Sequence, residues 1–241
     1  MTSPTPEGAF AGQTVLITGA SKGIGAHLVE YFRARGAWVA GCARSIAPAE
    51  HHNGLDSVVD VTEEGAVRAW IQDVFARRGR IDVLVNNAGA ASMNHCLLTP
   101  TQVLRDALEL NYIAAFTASR EVAKRMRKTG GRIINLTTVA VPMRLEGELS
   151  YAASKGALET MTLIMARELA PLGITCNLVG PCPVQTDLIR GVPKGKMDAL
   201  VNALPLRSMA TLDDVAWAVE VFARPEARHL TGQTLYLGGV G

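Results

Sequence analysis

The sequence lacks the features that mark several large functional classes. Cys42, Cys96, Cys176 and Cys182 are widely spaced and form no C-x-x-C pair, which excludes a zinc knuckle or a disulfide framework and reads as reduced thiols. The net charge is only +2, with 19% charged residues, so there is no global field of the kind that draws a protein to nucleic acid. No apolar run approaches the ~20 residues needed to cross a bilayer. Met1 to Gly12, rich in Pro, Thr and Ser, has no basic stretch leading into an apolar one and is not a secretory signal. Neither nucleic acid nor membrane is an expected partner, and the expected location is cytoplasmic. What the chain does have is apolar residues, 48% of 241. A chain of this length buries roughly three quarters of its unfolded surface in one core.

From Gln13 onward, short β-branched runs alternate with longer helical patterns, the rhythm of an α/β doubly wound (Rossmann-like) parallel sheet with helices on both faces. Seven strands are predicted, at Thr14–Thr18, Trp38–Cys42, Ser57–Val61, Ile81–Asn86, Arg132–Thr137, Thr175–Val179 and Gln233–Leu237. Helices are predicted at Gly23–Arg35, Glu63–Arg78, Pro100–Lys128, Ser150–Pro171 and Leu212–Ala223. Arg44 to Ser57, with Pro48 and Asn53-Gly54, is too broken for a full helix. Residues 1–12 read as a flexible segment and 13–241 as a single domain.

The first strand runs into Thr18-Gly19-Ala20-Ser21-Lys22-Gly23-Ile24-Gly25, which opens a helix. Gly19 permits a tight turn, and Gly23 and Gly25 let the backbone approach a pyrophosphate and let the helix pack on the sheet. The helix N-terminus adds amide donors and positive dipole, so Gly19, Ser21, Lys22, Gly23, Ile24 and Gly25 form a candidate dinucleotide cradle. A carboxylate closing the second strand would pair with the 2′-hydroxyl of NAD, but Val39 to Ala47 contains no acid. Lys22 and Arg44 instead offer two cations to a 2′-phosphate, so NADP(H) is expected in preference to NAD(H).

Two more motifs sit where a cofactor would lie. Asn86-Asn87-Ala88-Gly89 ends a buried strand and brings polar amides to the carboxyl end of the sheet. Tyr151-Ala152-Ala153-Ser154-Lys155 opens a helix, and residues four apart share one face. An ammonium beside a phenol favours the phenolate, which would bring Tyr151 toward a pKa useful for proton transfer.

The G-x-x-x-G-x-G turn, the Asn-Asn-Ala-Gly turn and the Tyr-x-x-x-Lys pair together resemble the short-chain dehydrogenase/reductase family, and the resemblance runs from about Gln13 to the C-terminus. It implies an enzyme that transfers the pro-S hydride between a nicotinamide and a carbonyl, with Tyr151 as acid/base. Lys155 would hold the nicotinamide ribose and tune Tyr151. Asn111 would hold a water behind the lysine, and Thr138 would stand where the family usually has serine. It further implies cofactor contacts from Asp60 and Val61 to adenine, from Asn86, Ala88 and Gly89 near the ribose, and from Pro181, Val184 and Thr186 at the nicotinamide. Cys182 departs from the family's Pro-Gly, and a packed small residue is the reading there. Assembly as a homotetramer through the Pro100–Lys128 and Ser150–Pro171 helices is also implied.

Size, a compact lid at Leu188 to Pro205 and the ending Thr231-Gly232-Gln233-Thr234 look most like the 3-oxoacyl-acyl carrier protein reductases. The implied substrate is a ketone, a 3-oxoacyl thioester on acyl carrier protein or CoA. The basic run Arg120, Lys124, Arg125, Arg127, Lys128 and Arg132 is a candidate carrier dock or a solvated helix end. Arg144, Glu146 and Glu148 lie in the loop expected to wall the pocket. A secondary-alcohol or sugar dehydrogenase remains the alternative, and a catalytically silent NADP-binding sensor a third reading.

Overall fold

In order, the elements are β1 (Thr14–Thr18), α1 (Gly23–Arg33), β2 (Trp38–Ala43), β3 (Ala49–His51), β4 (Gly54–Val58), α2 (Glu64–Arg78) and β5 (Val83–Asn86). There follow α3 (Thr101–Leu108), α4 (Ala114–Met126), β6 (Gly131–Leu136), α5 (Ala140–Met143) and α6 (Leu149–Leu169). β7 (Ile174–Gly180), α7 (Lys194–Ala203), α8 (Leu212–Ala223) and β8 (Thr234–Tyr236) complete the set. They come from a computed structural model that describes residues 8–240.

The strands form one sheet in the order β3-β4-β2-β1-β5-β6-β7-β8. Every pairing is parallel except β3 with β4. Period-two alternation divides each central strand between two apolar layers. Val15, Ile17, Val83, Val85 and Ile134 pack against α1 and α8, while Leu16, Leu84 and Ile133 pack against α2, α4 and α6. The result is the doubly wound sandwich that the alternating pattern predicts. β1 leads outward to β2 and β5 starts the other half, so a crevice opens at the carboxyl ends of the strands where the order reverses.

The sheet has eight strands, one more than the sequence predicts. The extra strand arises in the segment too broken for a helix, where β3 and β4 form an antiparallel hairpin around His52-Asn53. Asp56 fixes the hairpin by accepting from Arg33 of α1 at 3.0 Å and pairing with His51 at 2.9 Å. The third parallel strand accordingly lies at Gly54–Val58 rather than Ser57–Val61, and Val59 and Val61 are buried beyond its end. The single helix expected at Pro100–Lys128 is α3 and α4 joined through a π-helical turn, Glu109–Ile113.

Residues 1–7 of the segment expected to be flexible lie outside the described residues. Its later part is docked on the domain: Phe10 is fully buried, stacks edge-on against Phe32 with centroids 4.9 Å apart, and donates its N–H to Arg35 O. Among the described residues no helix is long and apolar enough to cross a membrane. Cys42, Cys176 and Cys182 are buried, Cys96 is exposed, and all four are free.

Candidate active site

The glycine turn and the Asn-Asn-Ala-Gly turn are fastened to each other. Thr18 Oγ1 accepts the backbone N–H of both Asn87 and Ala88, each at 3.1 Å. Asn87 Nδ2 returns hydrogen bonds to Thr18 O at 3.0 Å and Gly19 O at 3.1 Å. This close approach explains two glycines. A Cβ on Gly19, where φ is +69°, would lie 2.8 Å from Ala88 Cα, and one on Gly25 would lie 2.1 Å from Gly19 O and 2.5 Å from Asn87 Nδ2. Gly25 therefore serves turn-on-turn packing. Gly23, at φ +56°, has only Thr186 near its empty Cβ position, at 3.5 Å, and stays open to a ligand.

The N-cap of α1, Lys22, makes no side-chain capping bond, so the first-turn amides remain free for an anion. Lys22 is largely exposed and pairs with Asp187 at 3.4 Å. Ser21 and Arg44 are exposed, and Arg44 stands at the end of β2. The Asp60 carboxyl is held below its ordinary range, first by the Thr62 N–H at 3.0 Å and the Thr62 hydroxyl at 2.8 Å, and also by the nearby Arg44 charge. Val61 and Ala88 line a small cavity beside Thr18.

Asn86 is placed differently from the expectation that it contacts a cofactor. It is buried, and its Nδ2 donates to Ser119 Oγ at 2.9 Å and Asn135 Oδ1 at 2.7 Å, which braces β5, β6 and α4 from inside the core. Its neighbour Asn87, to which the motif reading assigns no role, is the one that lines the cleft. The doubled asparagine was the available signal, since one amide can face the core and the other the turn.

The cleft opens above the ends of β1, β5, β6 and β7. Ile24, Gly89, Thr138, Tyr151, Lys155, Pro181, Val184 and Thr186 line it, so most of the sequence candidates for chemistry and nicotinamide contact share one cavity. Its outer part is apolar: Met93, Leu145, Leu188, Ile189, Val192 and Met197, several of them from the lid containing α7, a helix that the sequence does not predict. Arg144 is exposed and does not line the cleft, but Glu148 does. Burial raises the Glu148 carboxyl, against the charge of Lys196 on the lid, and its Oε2 has no partner. Cys182 is buried against Val139 and Leu204, as a packed small residue would be, and burial raises its thiol.

Lys155 is buried and donates from Nζ to Leu136 O at 2.7 Å. Burial brings its ammonium down to about 8, with Glu159 acting in the opposite direction. The Tyr151 phenol is pushed up to about 12 by burial, while a hydrogen bond with Thr138 draws it down and the Glu148 charge pushes it further up. Lys155, which the sequence expects to lower Tyr151, is not among the groups that shift the phenol; burial outweighs the lowering by Thr138. Asn111 lies in the π turn, nearly inaccessible. Its Nδ2 donates to Ser154 Oγ at 2.9 Å and Ala90 O at 3.0 Å, and its Oδ1 accepts from Ala90 N at 2.9 Å. A Cβ on Gly89 would reach within 2.8 Å of Asn111 Oδ1 and 3.3 Å of Lys155 Nζ, so glycine there leaves room for both.

A family model described as enoyl-(acyl carrier protein) reductase matches residues 19–239. The chain belongs to the short-chain dehydrogenase/reductase family. It is 33% identical over 237 residues to the 3-oxoacyl-[acyl-carrier-protein] reductase FabG of Salmonella typhimurium, covering 95% of this chain and 97% of the relative. The FabG of Vibrio cholerae is 34% identical over 235 residues, covering 95% and 96%. Among solved structures, the ligand-free aldohexose dehydrogenase of Thermoplasma acidophilum superposes with a TM-score of 0.85 at 29% identity, over 96% of this chain and 94% of that one. A Serratia marcescens short-chain dehydrogenase/reductase mutant reaches 0.83 at 28%, over 96% and 98%. As a short-chain dehydrogenase/reductase, the protein is an NAD(P)-dependent oxidoreductase.

Proposed function

We propose that the protein is an NADPH-dependent carbonyl reductase acting on a ketone, with a 3-oxoacyl thioester on acyl carrier protein or CoA as the favoured substrate. The observation that carries this is that Tyr151, Thr138 and Lys155 line the wall of one largely apolar cleft, with the Tyr151 phenol held in its protonated form by burial. A protonated phenol suits donation to a carbonyl oxygen.

The residues fit a dinucleotide. The uncapped amides of α1 and the open Gly23 suit a pyrophosphate, and Val184, Thr186 and Pro181 line the end where a nicotinamide would lie. Exposed Arg44 after β2, in a strand end without a carboxylate, favours a 2′-phosphate and hence NADPH. When bound, the reduced cofactor supplies the hydride. Thr138 orients the substrate carbonyl and offers its hydroxyl to the charge that develops on oxygen. Tyr151 then donates its phenolic proton to that oxygen, which completes the alcohol. Lys155, charged at neutral pH, stabilises the phenolate left behind and holds the ribose hydroxyls. Asn111 keeps the π turn fixed against Ser154 and Ala90, so a water behind Lys155 can return the proton.

The apolar cleft mouth suits an acyl chain. A carrier dock on the basic run rests on fewer free cations than the sequence suggests, since Arg120 pairs with Glu64 and Glu121, and Lys124 with Glu121. Exposed Ile113, Phe116, Leu163 and Ile164 on the π turn, α4 and α6 support the homotetramer reading.

A second reading, a sugar or secondary-alcohol dehydrogenase, is favoured by Glu148, a carboxyl at the cleft that would accept from a substrate hydroxyl. An NADPH-oxidation screen of acetoacetyl thioesters against free ketones and sugars separates the two, with Tyr151→Phe as the blank. Loss of at least a hundredfold in kcat is expected for Tyr151→Phe, with cofactor binding kept. Full activity in that variant would overturn the mechanism.

A further inference from the structure

α6 carries a third ionisable residue in line with the catalytic pair. Tyr151, Lys155 and Glu159 follow one another at single helical turns and so share a face. The Glu159 carboxylate accepts from the Thr137 hydroxyl of the β6 end at 2.5 Å and from the Tyr236 hydroxyl of β8 at 2.6 Å. Thr137 follows Leu136, whose carbonyl receives the Lys155 ammonium. The carboxylate and the ammonium are therefore tied to adjacent residues of one strand end.

The sheet is shaped to allow this. Gly180 of β7 pairs with Tyr236, and a Cβ on Gly180 would lie 2.3 Å from the Tyr236 ring and 3.1 Å from the Thr137 methyl. Glycine at 180 lets the phenol lie across β7 and reach Glu159. A half-buried carboxylate with two hydroxyl donors is a satisfied polar group, and among the described residues no cation makes an ion pair with it. Its negative charge is left to act on Lys155.

We propose that Glu159 is a positioning residue that keeps the Lys155 ammonium charged within the buried site, and so sets the alkaline limit of the enzyme. The proposal rests on the reading of Lys155 as part of the catalytic machinery. The groups facing Lys155 are few. Tyr151 lies one turn back on α6, Thr137 and the Leu136 carbonyl come from β6, and Tyr236 reaches in from β8 only through Glu159. Asn111 and Gly89 are neutral. Glu148 is the one other charged side chain lining the cleft, and its charge acts on Tyr151. Burial lowers the lysine and the Glu159 charge raises it, which leaves the ammonium at about 8.

The test measures the titration of Lys155 directly, from the 13Cε shift of lysine-labelled protein assigned with Lys155→Met, alongside kcat/KM with NADPH and acetoacetyl thioester across pH 6 to 10. Glu159→Gln should lower the midpoint by about one pH unit, which at pH 8 cuts the charged fraction, and kcat/KM, by about fivefold and leaves pH 6 unchanged. Tyr236→Phe and Thr137→Val keep the charge and should leave the midpoint in place. An unmoved midpoint in Glu159→Gln, or an equal shift in Tyr236→Phe, overturns the proposal. Should Glu159→Gln fail to assemble, Glu159→Leu combined with Tyr236→Phe and Thr137→Val replaces the whole network by apolar groups and must show the same shift. If the 13Cε midpoint moves but no substrate turns over, the Glu159 inference stands and the proposed substrate class falls.

Discussion

Thr18→Val should loosen the join between the two cofactor-side turns without leaving a hole. Thr18 is buried, and valine has nearly its shape, so the change removes one oxygen and little packing. That oxygen accepts two backbone N–H groups, from Asn87 and Ala88, each at 3.1 Å. A buried donor left unsatisfied costs about 1–3 kcal/mol, so two donors deprived of one shared acceptor put the loss at about 3 kcal/mol. For a chain of this size that corresponds to roughly 6–12 °C in the unfolding midpoint. Thr18→Ser retains the oxygen and should stay within about 1 kcal/mol of the parent. Urea unfolding at fixed protein concentration gives the stability, and a fluorescence titration of NADPH gives the cofactor affinity, which should weaken together with it. Because Asn87 Nδ2 bonds Thr18 O and Gly19 O, Thr18→Val and Asn87→Ala should be non-additive. If Thr18→Val unfolds with the parent, or if Thr18→Ser falls as far as valine, the hydroxyl is not the fastening.

Arg44→Asp places at the end of β2 the carboxylate that the sequence lacks. It should lower the ratio of kcat/KM for NADPH over NADH by at least about tenfold, and an unchanged ratio would remove Arg44 from the cofactor reading. Lys155→Met addresses stability. Burial holds the folded ammonium near 8 against an ordinary 10.5, so the folded state carries fewer protons than the unfolded chain between those values, and the stability of the parent rises with pH across that window. Below pH 8 the cost of the buried charge is complete, at most about 3–4 kcal/mol. Lys155→Met should therefore melt above the parent at pH 7, with the gap closing toward pH 10.5. A gap independent of pH would mean that Lys155 titrates like a solvated lysine.

The order of strands and helices is legible because each central strand is buried on both faces and each covering helix repeats its apolar stripe, so periodicity alone separates them. The β3–β4 hairpin is not legible, for a physical reason. Its register is held by Arg33, His51 and Asp56, a hydrogen-bonded cluster whose members belong to α1, β3 and β4. His51 and Asp56 lie within Arg44 to Ser57, but Arg33, which completes the cluster, comes from α1 and is not recorded in that segment. The π turn is hidden in the same way: Asn111 sits in a run of good helix formers, and the extra residue in the turn follows from what its amide must reach, Ala90 and Ser154, not from the propensity of Glu109–Ile113.

At the site, the residues that sequence makes visible are those whose local requirement is unusual. Gly19 and Gly23 need a positive φ, and Tyr151 and Lys155 need a shared helical face. What it does not reveal is how those groups are held and charged. Thr18 and Asn87 look like ordinary strand-end and turn residues, yet they join β1 to β5 across a chain separation of 69 residues. Glu159 looks like a solvated helix position until Thr137, Gly180 and Tyr236 are brought around it by three different strands. The protonation of Tyr151 has the same origin. The i, i+4 spacing puts a lysine one turn away, but the phenol is set first by burial, then by Thr138 beyond the end of β6 and by Glu148 just before α6. The reacting groups are thus encoded within single motifs, whereas their protonation states are encoded between motifs, so substitutions at Glu148 and Glu159 should move the pH dependence of turnover while leaving every recognisable motif of the family intact.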